Sequence, residues 1–360
     1  KRKPPKGGSV LFRAEAAKKE RRGFYGNPAF PVRERTLRHI LEKTGRGKDM
    51  DSGLRAKFLK KFPQAKQGEP LCRHTSLGIG GEASLWLEVQ SVRQAKRALR
   101  FCRIHRIKCF PMGNGTNVLA ADEGFDGVVL HFGRSFSRVK VRGRKIVAQA
   151  GASAKSIAQA ACRHSLSGAE FLSVLPASVG GVVAMNAGCY GQSADQIVRS
   201  VCAVADGRMR RFLFSQCGFG YRSSKFRLRG WTVLKVTFRL RRKPREEILL
   251  AQKSMAERKR ASQPLGTRTA GSTFLADGIP VARRMDELGC KGKRVGQIAV
   301  SEKHAGFLVN LGGGTSREWL ILASQLGKIY QETFQEKLSM EVVYLGDTND
   351  LGRLSYAHDL

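Results

Sequence analysis

The sequence predicts an α+β body, and three observations point to it. β-branched runs such as GVVLHF, KIVAQA and TVLKVTFRL alternate with stretches of helical period such as SVRQAKRALRFCRIH and SAKSIAQAACRHS. The 360 residues are 41% hydrophobic. That is ample for globular folding, yet the chain is too long for one ordinary core and implies about two or three domains. Late in the chain, SREWLILASQLGKIYQETF (316–334) has the pattern of a long amphipathic helix, with Ser316 expected as its cap, and the strand-like MEVVYLG follows it.

Taken in order, residues 1–31 carry Gly-Gly, Pro-Pro and basic clusters and are expected to lie extended on a partner. The Arg-, Lys- and Ala-rich, acid-poor composition of residues 1–35 fits the remainder of an organellar targeting region and an RNA-binding arm equally well. From Val32 to Phe62, Leu37, Ile40, Leu41, Leu54, Phe58 and Leu59 have helical spacing, which predicts two short basic helices around the loop GRGKDMDSG. Near residue 70 the alternating pattern begins and runs to about residue 346. A polar tail starts at Asp347.

Charge is the outlier of the composition. The formal net charge is +36, of which +13 falls in residues 1–70 and +23 in residues 71–360. A folded body this positive attracts polyanions, and RNA is the commonest of them. The eight cysteines form no C-x-x-C pair and complete no zinc spacing with His, so no metal site is expected and the thiols read as reduced small hydrophobes. No apolar run approaches the ~18 residues of a membrane span.

Three small-residue segments carry the chemistry. PMGNGTNVLAADEGFDG (111–127) and AGASAKSIAQA (150–160) are joined by PASVGGVVAMNAGCYG (176–191), sixteen consecutive uncharged residues in a very basic chain. Glycines let a backbone approach a ligand closely and aim N–H groups at phosphate oxygens. Gly113, Asn114, Gly115, Thr116 and Asn117 would form such a nest. For any one segment a tight turn is the simpler reading, and GNG matches neither the dinucleotide fingerprint nor a P-loop. Three segments separated by strand patterns favour one shared, elongated ligand carrying a diphosphate.

The wording of these segments resembles the MurB family, the UDP-N-acetylenolpyruvoylglucosamine reductases. HTSLGIGG (74–81) is similar to the family's N-T-F-x-I-G-G, and PMGNGTNVLAADEGFDG to its G-x-G-S-N-x-L…D-x-G-F-x-G. GAEFLSVLPASVGGVVAMNAGCYG (168–191), FGYRSSKF (219–226), AGSTF (270–274), VGQIAVSEKHAGFLVNLG (295–312) and LSMEVVYLG (338–346) follow in family order. The resemblance covers about residues 71–346 and implies a fold: an FAD-binding module of two subdomains over residues 71–243, then a smaller α+β substrate-type domain over 244–346. Residues 1–70 form a basic extension and 347–360 a tail outside it.

The resemblance also implies a site. Gly113, Asn114, Gly115, Thr116 and Asn117 would meet the FAD diphosphate, and Ser178, Gly180, Gly181 and Asn186 would line the flavin cleft. The family moves hydride from NADPH through FAD to an enolpyruvyl double bond. Ser272 falls in the position of the proton donor, and Arg222 and Glu341 in those of the groups stabilising the enolate-like intermediate. Developing negative charge needs a fixed cation and donors, and a carbanion needs a nearby acid. The substrate side departs from the family pattern. Leu275 and Ala276 stand where the family has Lys and Asn, and Ser262 replaces a Lys. Two lost charge-assisted contacts at ~1.5–3 kcal/mol each would weaken nucleotide-sugar binding ~100-fold or more.

Two functions follow. The added basic extension, the charge and the altered nucleotide contacts lead to the expectation of a recruited fold. This would be a MurB-like protein, still holding FAD, serving as an RNA-contacting subunit of an organellar ribonucleoprotein such as a mitochondrial ribosome or its assembly intermediate, bound to rRNA and neighbouring subunits in the matrix. The alternative is an active NADPH- and FAD-dependent UDP-N-acetylenolpyruvoylglucosamine reductase of bacterial, cytoplasmic peptidoglycan synthesis.

Overall fold

Side-chain caps set most of the helix starts. Asp51 accepts a hydrogen bond from Leu54 N at the start of α1 (Ser52–Lys61), and Ser91 and Ser153 do the same for α2 (Val92–His105) and α3 (Ala154–Arg163). Ser178 caps the short α4 (Val179–Ala184) and Ser224 caps α5 (Lys225–Arg229). Each such cap satisfies one otherwise orphaned N–H and stabilises by ~1 kcal/mol. The computed structural model describes residues 50–276 and 281–347. The expected extended arm, the first of the two basic helices and the tail beyond Asp347 lie outside the described residues. α1 is the second of the two.

The first sheet runs in the order Lys66–Pro70, Glu82–Glu88, Phe125–His131, Cys109–Met112. Its outer pair is antiparallel and the rest is parallel, with α2 as the crossover after Glu82–Glu88. The second sheet has five antiparallel strands in the order Arg208–Leu213, Val198–Ala205, Thr232–Arg239, Lys145–Gln149, Val139–Arg142. One continuous core joins both sheets: Phe58 of α1, Leu85 and Leu130 of the first sheet, Ile157 of α3, Val182 of α4 and Phe238 of the second sheet are buried together. Each fully buried Leu or Phe contributes ~1.5–3 kcal/mol.

The third sheet, Arg268–Ser272, Phe307–Asn310, Ile298–Val300, Arg294–Val295, is reached through α6 (Arg245–Ser262) and carries α7 (Val281–Glu287) and α8 (Ser316–Phe334). Trp319, Leu326 and Tyr330 of α8 pack with Met285 of α7, and Leu77, Ile79 and Leu119 from the glycine-rich part of the chain join the same core. Thr315, not Ser316, caps α8: its hydroxyl accepts from Glu318 N while the Glu318 side chain accepts from Thr315 N. A hydroxyl one residue earlier wins because Glu318 then stands at the third helical position and completes the reciprocal pair. Ser316 instead accepts from Asp122 N at 3.0 Å, and the Asp122 carboxylate accepts from Ser316 N at 2.8 Å and Arg317 N at 3.2 Å. The loop after the glycine nest is thereby tied to the helix of the third sheet.

One late pairing positions the site. Strand Val343–Leu345 lies parallel to Val118–Ala120, so the segment bearing Glu341 ends beside the nest at 113–117.

Candidate active site

The nest and the uncharged tract are in contact. Asn114 Nδ2 donates to Pro176 O at 2.9 Å, and a Cβ added at Gly113 would overlap the Ser178 hydroxyl. Gly115 is buried with φ +62°, and a Cβ there would overlap the carbonyl oxygen of His74. Only glycine fits both its conformation and its space. Gly113, Thr116 and Asn117 stay half-exposed and Asn114 exposed. Gly180 packs on Ala150, whereas the nearest atom to a Cβ on Gly181 is Ser178 Oγ at 3.5 Å, and Gly271 faces open space. The result is a wall of small, neutral backbone, and this fits the diphosphate and ring system of FAD.

Asn186 is buried with φ 43°, outside the usual range for a side-chain-bearing residue. Its amide holds the conformation: Nδ2 donates to Gly220 O at 2.9 Å and Oδ1 accepts from Asp195 N at 3.0 Å. Arg222, with φ 48°, is also left-handed. Its carbonyl accepts from Arg227 Nη1 at 3.0 Å, and Ser224 Oγ, two residues on, donates to Ala184 O at 2.7 Å. Strained backbone held by surrounding bonds is characteristic of functional sites.

Two of the three sequence-predicted catalytic residues, Arg222 and Glu341, are paired, and the third, Ser272, precedes a residue whose backbone is bonded to Glu341. Arg222 Nε lies 2.9 Å from Glu341 Oε1, with side chains 22% and 14% exposed. The N–H is not aimed at the oxygen, so the contact is a charge pairing and leaves buried Nε without a hydrogen-bond partner among the described residues. Glu341 N donates to Thr273 O at 2.8 Å, which places Glu341 beside Ser272. Asn117 Nδ2 donates to Glu341 O at 3.1 Å, and Val343 N to Asn117 O at 3.0 Å. Ser272 ends its strand, half-buried, next to Gly271 at φ +85°, where the register to Phe307 shifts.

Burial pushes the Glu341 carboxyl above its usual range, against the pull of Arg222 and Arg227. Arg227 is a second cation at this carboxylate, and burial draws its own pKa down. No sequence signal marks it, since only the fold brings position 227 to position 341. Because the Arg222 charge holds Glu341 down, Arg222→Met is expected to move the Glu341 titration, followed by carboxyl carbon NMR, to higher pH. An unchanged titration would show that the pairing has no electrostatic weight.

The substrate-side departures also have a structure. Leu275 pairs with Ser339 and Ala276 packs on the third-sheet core, so neither offers a polar group. Ser262 Oγ donates back to Arg258 O at 2.8 Å. Lys259, one turn earlier, donates from Nζ to Val174 O at 2.6 Å, and Arg258 lies over the Tyr190 ring at 4.6 Å. Beyond the end of α6, a cavity of about 850 Å³ is lined by Arg260, Leu265, Arg294, Lys303, Val309 and Leu311 among others.

Comparison with known proteins identifies this arrangement. Residues 83–212 match an FAD binding domain, and residues 263–345 match the C-terminal domain of UDP-N-acetylenolpyruvoylglucosamine reductase. The reductase of that name from Carboxydothermus hydrogenoformans is 34% identical over 78% of this chain and 94% of its own length. The one from Heliobacterium modesticaldum is 37% identical over 79% and 92%. The crystal structure of the Thermus caldophilus enzyme superposes with a TM-score of 0.67 at 31% identity, covering 78% of this chain and 98% of that one. These matches overturn the expectation of an RNA-contacting organellar ribonucleoprotein subunit, because the relatives matched over nearly their full length are bacterial reductases and none points to RNA.

The charge that led there has a local explanation in part. Arg208, Arg210 and Arg211 sit exposed on one edge strand of the second sheet, and Lys140 and Arg142 on the other. Charged side chains at sheet edges block unwanted strand pairing. Among the described residues no helix is long and apolar enough to cross a membrane. An FAD-binding module with a neutral nest and a C-terminal part that brings Glu341 to Arg222, matched along both parts and 34–37% identical to reductases over nearly their full length, makes this chain a member of the UDP-N-acetylenolpyruvoylglucosamine reductase family.

Proposed function

We propose that the protein is an active reductase that uses NADPH and FAD to reduce the enolpyruvyl double bond of UDP-N-acetylenolpyruvoylglucosamine. The observation that carries this reading is the junction of Arg222, Glu341 and the Ser272–Thr273 backbone. A cation and a carboxyl meet there, one residue along the backbone from Ser272. Gly113, Asn114, Gly115, Thr116 and Asn117 would hold the FAD diphosphate, and Ser178, Gly180, Gly181 and Asn186 would border its ring. Bound FAD supplies the hydride relay between NADPH and the substrate.

The remaining work falls to side chains of this chain. Arg222, and Glu341 in the protonated form that burial favours, stabilise the charge that builds on the substrate carboxylate as its double bond is reduced. Placed in a partly dry pocket, such groups act far more strongly than in water. The Ser272 hydroxyl gives its proton to the carbon adjacent to the one that receives hydride. A serine is a weak acid, and it acts here only because the acceptor carbon is strongly basic at that instant. The module at 71–243 serves the cofactor and the domain at 244–346 the substrate. The test is NADPH oxidation by the flavin-loaded protein. Consumption should begin on addition of the enolpyruvyl substrate and match it mole for mole; equal oxidation without substrate sinks the reading.

A further inference from the structure

The turn that carries Arg222 is closed at its base. Gly220 and Ser223 exchange both backbone bonds, Gly220 N to Ser223 O at 3.0 Å and Ser223 N to Gly220 O at 3.2 Å, which leaves Tyr221 and Arg222 as the tip. Of these two, Arg222 has the positive φ, a turn geometry that ordinarily takes Gly or Asn at that place. An arginine there meets steric resistance and stays only where neighbouring bonds hold it. Three such bonds fix the base: Asn186 Nδ2 to Gly220 O at 2.9 Å, Ser224 Oγ to Ala184 O at 2.7 Å and Lys225 N to Cys217 O at 2.9 Å. The bond from Arg227 Nη1 to Arg222 O, 3.0 Å long, reaches the tip itself.

Arg227 is anchored in its turn. Its backbone N–H donates to the Ser224 hydroxyl that caps α5, at 3.4 Å. Its neighbour Phe226 is buried against Phe212 and Trp231, with ring centroids 5.4 and 6.4 Å away. A half-buried cation whose hydrogen bond goes to a backbone carbonyl rather than to a carboxylate calls for a reason. Rotation about the Arg222 N–Cα bond swings its carbonyl and its Cβ together, so a donor fixed on the carbonyl also fixes where the side chain begins. That side chain meets Glu341 at 2.9 Å. We infer that Arg227 is a positioning residue, a role that rests on the reductase reading above: it holds the Arg222 carbonyl, and thereby the left-handed turn that presents the Arg222 guanidinium to Glu341 and to the substrate carboxylate. Without that bond φ relaxes towards the negative range and the guanidinium swings away from Glu341.

The experiment follows the two half-reactions by rapid mixing on the flavin-loaded full chain. Arg227→Met is expected to leave reduction by NADPH within about twofold of wild type and to slow reoxidation by the enolpyruvyl substrate about tenfold or more, the size of one charge-assisted bond. Arg227→Gln should lose as much, and it serves in place of the methionine variant if that one does not fold. Arg227→Lys should stay within about threefold of wild type, because the contact is a single bond to one carbonyl that an ammonium can also make. In an Arg222→Met background, adding Arg227→Met should cost no further rate, since the group it places is gone. Arg229→Met, exposed two residues on, is the control and should leave both half-reactions at wild-type rates. Wild-type reoxidation in the Met and Gln variants overturns the inference. So does a further loss in the double variant, which would make Arg227 act independently of Arg222, or loss of folding or flavin in both variants, which would assign Arg227 to the fold. A wild-type protein whose reduced flavin the substrate cannot reoxidise overturns the reductase reading, and this inference with it.

Discussion

Ser272→Ala is expected to leave a folded, yellow protein whose turnover falls by about 10²–10⁴-fold, the usual worth of a positioned proton donor. The Ser272 side chain is half-buried and its strand is held by backbone bonds to the strand at Phe307–Asn310, so its removal costs little stability. The thermal midpoint should stay within a few degrees of wild type, in line with ~0.5 kcal/mol for a change that breaks no buried network. The two half-reactions separate the roles. In a rapid-mixing experiment, reduction of the protein by NADPH should proceed as in wild type, and reoxidation by the enolpyruvyl substrate should stall. Normal reoxidation in the alanine variant would remove Ser272 from the chemistry.

Gly115→Ala is expected to be strongly damaging, and to strip the protein of flavin. The left-handed φ of +62° costs a Cβ-bearing residue ~1–2 kcal/mol, and the new carbon would overlap the His74 carbonyl and come within 2.9 Å of Met112 Cε. A backbone oxygen cannot rotate away as a side chain can. Relief requires the nest to shift, and the nest is bonded to Ser76 on one side and through Asn117 to Glu341 on the other. The expected result is a protein purified without flavin, with FAD affinity at least tenfold weaker and a thermal midpoint several degrees lower. Gly143→Ala is the matched control: φ is +56° there, but nothing lies within 4 Å of the added carbon. It should show only the conformational cost and keep its flavin. If both variants behave alike, the nest is not tightly fitted.

Much of this was legible in the residues, and the misses have physical causes. The strands around GVVLHF, KIVAQA and TVLKVTFRL and the helices at 92–105, 154–163 and 316–334 follow from periodicity and lie where it predicts. Gly115 is conspicuous in sequence because its neighbours spell a turn, and its conformation bears that out. The partnership of Arg222 with Glu341 is a different matter. It depends on strand Val343–Leu345 finding Val118–Ala120, a pairing across more than two hundred positions that no local pattern records. Only the resemblance to a known family puts those residues on one list. Net charge misled for the opposite reason: it is a property of the whole chain, and it reports on association and solubility rather than on what a cleft does.

The parallel pairing of Val343–Leu345 with Val118–Ala120 has a consequence for biogenesis. Synthesis proceeds from the N-terminus, so the cofactor half of the molecule emerges while its last structural partner is still unmade. Throughout that interval the carboxyl of Glu341 is missing and Arg222 has no partner from the C-terminal part. The pairing of Arg222 with Glu341 therefore forms only after the last strand is made.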